Sequence, residues 1–286
     1  MDSKTVFALR NEAKDLEGIS KLIDDFEKEH GYRPHLHVDA AHGGGFVLHD
    51  KFNPKKGGLL KGIERADSIT IDPHKMLYTH YSAGCILFKN KKDHKLLKQD
   101  ADYLFKNDEK NNLGQYRVEG SMGIEGSLQT HASLFFLGKK GYQVIQEHTL
   151  RNTEYLAKKI KAEKNFEICN EPEMNILCFR YCNPNLSVEV NDEINKKAQK
   201  ILYDRGNVYI ANDKLLHRKD GTDEGRKIEV FRSVIMHPYT TRRDIDVAVK
   251  EVKRCVSEVI NEMKDSLSKE YKDISKSVGC GCYEKK

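Results

Sequence analysis

The sequence predicts an α/β fold followed by a smaller α+β unit. In the first half, short apolar runs typical of strands (36–38, 66–71 and 85–88) are separated by helix or loop connections. The second half alternates helix-like segments with short strands and closes on a long apolar stripe. Strands connected in this way form a sheet covered by helices, and ligand groups gather in the loops just after the strand ends.

The first half is expected to open on an amphipathic helix. Ile19, Leu22, Ile23 and Phe26 repeat at helical spacing, and Gly31 stands where such a helix ends. The three strands follow. Residues 90–118 are rich in lysine, aspartate and asparagine with almost no periodicity, which predicts a helix start and then a long surface loop. Loops this long in a compact enzyme often act as lids.

The second half is expected to be an α+β unit. One helix starts at Ile124 and ends near Gly138 or Gly141, and another covers 147–162. The remaining predicted elements are strands near 166–168 and 176–179, a helix at 194–202, strands at 208–210 and 228–235, and a final helix whose apolar stripe runs from Ile245 to Leu267. These patterns divide the chain into residues 1–140, residues 141–270 and a polar tail, 271–286.

Composition and charge exclude several classes of function. Of the 286 residues, 49 are basic and 44 acidic, and the two signs are interspersed, so the net charge of +5 is no nucleic-acid footprint. No apolar run reaches membrane-spanning length, and the first residues lack the apolar core of a signal peptide. Seven cysteines without framework spacing indicate free thiols in a reducing, cytoplasmic compartment. Cys280 and Cys282 alone make an incomplete zinc site, so no metal is expected.

Two short motifs carry the chemistry. Asp39 ends an apolar strand and precedes the glycine run Gly43–Gly45, while Lys75 follows a second strand beyond Pro73 and His74. The 36 residues from Asp39 to Lys75 allow one excursion between neighbouring strand ends. A carboxylate keeps a pyridine nitrogen protonated, and a lysine amine forms a Schiff base, which are the two groups that a pyridoxal phosphate site requires. Taken singly, Asp39 also suits a turn and Lys75 a solvated surface.

Together these motifs resemble the group II pyridoxal-phosphate-dependent amino-acid decarboxylases, which include glutamate, cysteine-sulfinate, aromatic-amino-acid, tyrosine and diaminobutyrate decarboxylases. The similarity covers residues 1 to about 260 and extends through segments 82–85, 102–105, 120–121, 137–142 and 231–233. It implies the type I fold of pyridoxal-phosphate-dependent transferases, here the C-terminal half of the large domain plus the small C-terminal domain. It also implies a homodimeric lyase that converts an L-amino acid to its amine and carbon dioxide.

The resemblance assigns cofactor roles to five residues. Lys75 is implied to form the Schiff base, and Asp39 to pair with the pyridine nitrogen. Ala41 would pack its methyl group on the cofactor ring, and His74 would contact the phosphate or the substrate carboxylate. Ser121 resembles a serine that the neighbouring subunit offers to the phosphate.

The resemblance also assigns two residues to the substrate. Arg232 resembles the arginine that pairs with the α-carboxylate, a task suited to its two-pronged guanidinium; the alternative is an ordinary strand-edge arginine. A tyrosine on a mobile loop is implied to deliver a proton to Cα. Tyr103 is the first candidate, and Tyr116 remains open because the following loop is several residues shorter than in well-known members.

The chain departs from the family pattern before Asp39. Only some 36 residues precede that motif, without the usual phosphate-binding turn or the ring that stacks on the cofactor, and His42 stands where an aromatic ring is common. The sequence therefore leaves three interpretations: a fragment of a longer decarboxylase, one piece of a split enzyme with a complementing N-terminal subunit, or a non-catalytic relative acting by association. A related carbon–carbon lyase or aldehyde synthase is a further alternative.

Overall fold

The computed structural model describes residues 5–8, 15–98, 113–116, 123–218 and 225–263. The chain forms two compact units that divide between Glu147 and His148. None of the helices in these ranges combines the length and apolar content needed to cross a membrane.

The first unit is built on a four-stranded sheet. Its strands are β1 (Thr5–Ala8), β2 (Leu36–Asp39), β3 (Ser68–Ile71) and β4 (Cys85–Phe88), in that order across the sheet. The pairs β1–β2 and β2–β3 are parallel, whereas β4 runs antiparallel to β3. The parallel pairing brings the carboxyl ends of β2 and β3 to the same edge of the sheet.

Helix α1 (Leu16–His30) lies between β1 and β2 in the chain and matches the predicted helix. Asp15 caps its first turn by accepting a hydrogen bond from the Gly18 N–H at 2.8 Å. Gly31 ends it with φ of 73°, a left-handed conformation that glycine adopts without steric cost.

The two helices predicted after Ile124 form one element, α2 (Glu125–Lys161), with a break at Gly138. Gly138 has φ of 56° and ψ of 179°, a combination that a side chain would disfavour, so the glycine permits the kink. The division between the two units falls within α2.

The second unit contains an antiparallel sheet and two further helices. The sheet order is β5 (Phe166–Ile168), β6 (Ile176–Tyr181), β8 (Gly225–Val234) and β7 (Ala211–Arg218). Helices α3 (Val188–Arg205) and α4 (Arg242–Glu262) pack together, and their apolar faces enclose the stacked rings of Phe179 and Phe231. Thr241 and Asp244 cap the start of α4 reciprocally, through side chain and backbone.

Two further local features differ from what the sequence predicts. Residues 208–210 are not a strand; β7 begins one residue later, and its polar residues obscured the pattern because it lies at the sheet edge. β1 was not predicted. Within 90–118 the structure describes short 3₁₀ turns at Asp93–Leu97 and Leu113–Tyr116, and residues 99–112 and 117–118 lie outside the described ranges.

Candidate active site

The loops that follow β2 and β3 are tied to each other directly. The Ala40 N–H donates to the Thr70 carbonyl at 3.0 Å, and the Asp72 N–H donates to the Ala41 carbonyl at 3.0 Å. The segment that carries Asp39 and the segment that leads to Lys75 are therefore joined by backbone hydrogen bonds at the carboxyl ends of neighbouring parallel strands. This is the edge at which ligands bind in open α/β sheets.

Asp39 is the last residue of β2 and is half-buried. Its Oδ1 accepts a hydrogen bond from the Ala41 N–H at 3.1 Å, which turns the chain after the strand and orients the carboxylate. Ala41 is also half-buried, and His42 begins the 3₁₀ turn Gly43–Leu48.

Two histidines at the start of β2 and just before it are hydrogen-bonded to two hydroxyl groups on β3. The Ser68 hydroxyl lies 2.8 Å from His35 Nε2 and 2.7 Å from His37 Nδ1, and the Thr70 hydroxyl lies 3.2 Å from His37 Nε2. Burial lowers the pKa of His37, while the Asp39 charge acts in the opposite direction. A neutral imidazole thus sits two residues before Asp39 near neutral pH.

The glycine run after Asp39 allows close packing against the lysine segment. A Cβ added to Gly45 would lie 2.9 Å from the Met76 Cβ and 3.0 Å from the Met76 carbonyl carbon. Gln146 links the same two segments, donating from Nε2 to the Gly45 carbonyl at 2.9 Å and lying 3.4 Å from the Met76 carbonyl. Met76, the residue after Lys75, is therefore fixed by contacts with both Gly45 and Gln146.

Lys75 lies in a compact turn. Its N–H donates to the Asp72 carbonyl at 3.0 Å, and the Thr79 N–H donates to the Pro73 carbonyl at 3.1 Å. Within the turn Tyr78 has φ of 55°, a strained backbone conformation of the kind that clusters at functional sites. The Lys75 amine lies 2.8 Å from Asp72 Oδ2, and both side chains are partly exposed.

His74 is fixed by contacts on either side of its ring. Nδ1 lies 2.7 Å from the Ala83 carbonyl oxygen and 3.3 Å from the Ala83 backbone nitrogen, so Ala83 fixes this edge of the ring. The Tyr81 ring stacks on the imidazole at a centroid distance of 4.3 Å. Nε2 is thereby directed towards Asp72, whose Oδ2 lies 3.8 Å away.

The remaining predicted site residues are distributed along the chain. Arg232 lies on β8 in the second unit, where its Nε is 3.6 Å from Asp213 Oδ2. Tyr116 packs edge-on against the His94 ring at 4.7 Å. Tyr103, Ser121, Cys280 and Cys282 lie outside the described residues. Within the described ranges no three His, Cys, Asp or Glu side chains are grouped in a way that would hold a metal ion.

Asp72 and Gln146 were assigned no role from sequence. Asp72 stands three residues before Lys75 in the same turn, and this short spacing is visible in the sequence. The sequence contains no such signal for Gln146, because its contacts are with residues 70 and 101 positions away in the chain.

A family comparison identifies the lineage. The model of the pyridoxal-dependent decarboxylase conserved domain matches residues 15–182, which is more than half of the chain and includes both Asp39 and Lys75. The chain belongs to this family. The predicted resemblance is confirmed, and pyridoxal phosphate is the cofactor of the family.

Curated relatives are similar over about half of their own length. The aspartate 1-decarboxylase of Aliivibrio fischeri is 28% identical over 240 residues, which cover 78% of this chain and 42% of the relative. The aromatic-L-amino-acid decarboxylase of Bacillus atrophaeus is 29% identical over 231 residues, covering 78% and 45%. The chain therefore spans less than half the length of these relatives.

Solved structures confirm the fold class. Mouse CSAD in its apo form aligns with a TM-score of 0.66 and 24% identity, covering 84% of this chain and 48% of that one. The second is the glutamate decarboxylase domain of the diaminobutyrate-pyruvate transaminase and L-2,4-diaminobutyrate decarboxylase from Vibrio parahaemolyticus. It aligns with a TM-score of 0.62 and 23% identity, covering 88% of this chain and 46% of that one. The α/β fold is that of the pyridoxal-phosphate-dependent decarboxylases.

The described residues fit the cofactor in part. A carboxylate and a primary amine follow the ends of two hydrogen-bonded parallel strands, and this donor set matches a pyridine nitrogen and an aldehyde. The glycine run leaves the adjoining backbone without side chains.

Proposed function

We propose that this chain carries the lysine-bearing part of an L-amino-acid carboxy-lyase that releases an amine and carbon dioxide. The observation that supports this most strongly is the placement of Asp39 and Lys75 in loops joined by the Asp72–Ala41 hydrogen bond. In this proposal residues 1–140 form part of the cofactor-binding domain, and residues 141–270 form the small domain.

Each side chain has one task in the proposed reaction. The bound cofactor supplies an electron sink for the electrons that carbon dioxide leaves behind. Lys75 holds the cofactor covalently, Asp39 keeps the pyridine nitrogen protonated, and Ala41 packs on the ring. His74, whose ring is held at Nδ1 by Ala83, is the contact for the phosphate or the substrate carboxylate.

Three further roles are proposed from the resemblance. Arg232 binds the substrate α-carboxylate, and Ser121 is offered to the cofactor phosphate of a neighbouring subunit. Tyr103 delivers the proton to the substrate Cα, with Tyr116 as the alternative. If neither Tyr103→Phe nor Tyr116→Phe changes turnover or product, the proton donor is not a tyrosine of this loop.

Covalent capture tests the cofactor assignment. The purified chain is mixed with pyridoxal phosphate, reduced with borohydride and digested, and we expect the added cofactor mass on the peptide containing Lys75. Lys75→Arg should abolish that product, whereas Lys89→Arg, at an exposed position after β4, should leave it unchanged. Cofactor mass distributed over surface lysines with none on Lys75 would contradict the proposal.

Product analysis tests the reaction class. Decarboxylation yields an amine and carbon dioxide, whereas an aldehyde synthase yields aldehyde, ammonia and peroxide. Aspartate and aromatic amino acids are the first substrates to try, because the relatives named above are decarboxylases of these compounds. Aldehyde with peroxide would favour the synthase alternative.

The proposal includes a partner polypeptide, for which the first unit offers an apolar surface. Before the Gly138 kink, Ile124, Leu128 and Phe135 follow one another at helical spacing, and Phe135 and Phe136 are 85% and 88% exposed. On β4, Ile86 and Leu87 are also about half exposed. Exposed apolar side chains grouped along one helix face mark an interaction site.

We propose that this surface is covered by the part of the fold that the relatives have and that this chain does not align with. The supporting observation is that the chain spans under half of each relative. Sequencing upstream of the coding region should reveal the complementing segment, in frame or as an adjacent reading frame. Coexpression with it should yield a complex that Phe135→Ser with Phe136→Ser weakens. A stable homodimer of this chain alone, lost in the same variant, would instead make a second copy the occupant.

A reducing compartment such as the cytoplasm is also proposed. None of the five cysteines in the described ranges forms a disulfide, and thiols that stay reduced are typical of proteins in a reducing environment.

A further inference from the structure

The Lys75 amine and the His74 imidazole both lie near one oxygen of Asp72 in the turn that carries Lys75. Asp72 Oδ2 lies 2.8 Å from the Lys75 amine and 3.8 Å from His74 Nε2. The first distance is a direct charge-assisted hydrogen bond, whereas the second places the imidazole just outside hydrogen-bonding range. Asp72 Oδ2 is therefore hydrogen-bonded to the Lys75 amine, and the His74 ring lies beside this pair.

The backbone holds Asp72 in this position independently of the lysine side chain. The Asp72 N–H donates to the Ala41 carbonyl at 3.0 Å, and its carbonyl accepts from the Lys75 N–H at 3.0 Å. The His74 ring is held separately by Ala83 and Tyr81. Moving the lysine side chain therefore leaves the Asp72 backbone in place.

We propose that Asp72 is a positioning residue that holds the Lys75 amine in an ion pair while no cofactor is attached. The inference rests on the proposed function of Lys75. An amine attacks an aldehyde only in its unprotonated form, and a carboxylate at hydrogen-bonding distance favours the protonated form. Binding of the cofactor would then require the Lys75 amine to leave Asp72 Oδ2, which lies 2.8 Å away.

The partial exposure of the pair supports a role in orientation rather than stability. Lys75 and Asp72 side chains are 32% and 20% exposed. Ion pairs at such exposure contribute little to folding because solvent screens them. Replacing Asp72 should therefore change the behaviour of Lys75 without unfolding the turn.

Trace labelling of the cofactor-free chain tests this directly. Acetic anhydride is applied near pH 8, and the initial acetylation rate of each lysine is measured by peptide mass spectrometry. Asp72→Asn should raise the Lys75 rate about two- to fivefold, the effect expected of one partly exposed ion pair. Asp72→Glu, which keeps a carboxylate, should return the rate towards the wild-type value.

An exposed ion pair elsewhere provides the matched control. Lys200 lies 2.7 Å from Asp204 on α3, so Asp204→Asn should alter labelling at Lys200 and leave Lys75 unchanged. An unchanged Lys75 rate in Asp72→Asn, with an unaltered circular dichroism spectrum, would overturn the proposal. So would an increase shared by all lysines, since that indicates unfolding.

The labelling result and borohydride capture separate the two proposals. Labelling needs no cofactor, so a Lys75-specific response without capture would retain the Asp72 pair and reject Lys75 as the cofactor lysine. Capture at Lys75 without a labelling response would reject only the role of Asp72.

Discussion

The Tyr142 hydroxyl donates a hydrogen bond to the Leu77 carbonyl at 2.9 Å, which anchors the backbone two residues after Lys75 to helix α2. The Ser133 hydroxyl lies 2.7 Å from the same phenol oxygen, and Tyr142 is fully buried. Burial raises the pKa of Tyr142, so the phenol stays protonated and remains a donor. Side chains of helix α2 therefore hold the turn that carries Lys75, although they are distant from it in the sequence.

Replacing Tyr142 by phenylalanine should weaken this anchor. The ring is retained, but the Leu77 carbonyl keeps only the longer hydrogen bond from the Ser133 hydroxyl, at 3.2 Å, and we expect the free energy of unfolding to fall by about 1 kcal/mol. Urea denaturation measures the change. Tyr32→Phe, at an exposed position, is the control and should be close to neutral. Equal stability of Tyr142→Phe and Tyr32→Phe would show that the anchor contributes nothing.

Gly45→Ala should disturb the lysine turn by direct contact. The new methyl group would lie 2.9 Å from the Met76 Cβ and 3.0 Å from its backbone, closer than such atoms approach. We expect a loss of about 1–3 kcal/mol, because overpacking forces the backbone to shift. Gly84→Ala is the matched control, since its nearest neighbour would be Asp72 Oδ1 at 3.8 Å. The same denaturation midpoint for both variants would refute this packing argument.

His37 should make stability depend on pH. Its pKa is lowered in the folded chain, chiefly by burial, whereas the unfolded chain binds a proton near pH 6.5. The unfolded state therefore takes up the proton first, so this contribution to stability is complete above pH 6.5 and is lost as the pH falls below it. Urea midpoints at pH 7.5 and 5.5 should differ less in His37→Gln. A wild-type difference in that variant would contradict the assignment.

Cys169 should be unreactive in the folded chain. Burial raises the pKa of its thiol to about 12, so almost no thiolate exists at pH 8. Iodoacetamide should modify Cys169 only after unfolding in urea, as followed by peptide mass spectrometry. Modification in buffer as fast as in urea would show that the thiol is accessible and ionised.

Much of the fold was predictable because the relevant signals are local. Helix α1 carries both its apolar spacing and its terminating Gly31 in one segment, and β2 and β3 are short apolar runs. β7 escaped prediction because it is an edge strand whose register depends on β8, from Ala211 opposite Arg232 to Arg218 opposite Gly225. Pairing with a distant segment leaves little trace in the strand itself.

In the candidate site, too, the sequence predicts the local features and leaves the long-range contacts undetermined. The motifs around Asp39 and Lys75 identify the family and the cofactor chemistry, since residue type and spacing within short segments suffice for both. Tertiary structure alone shows that Tyr142 and Gln146 hold the backbone beyond Lys75, because those contacts join residues 65 to 70 positions apart. It also pairs the Lys75 amine with Asp72, since the direction of two side chains in a turn depends on how packing fixes the backbone between them.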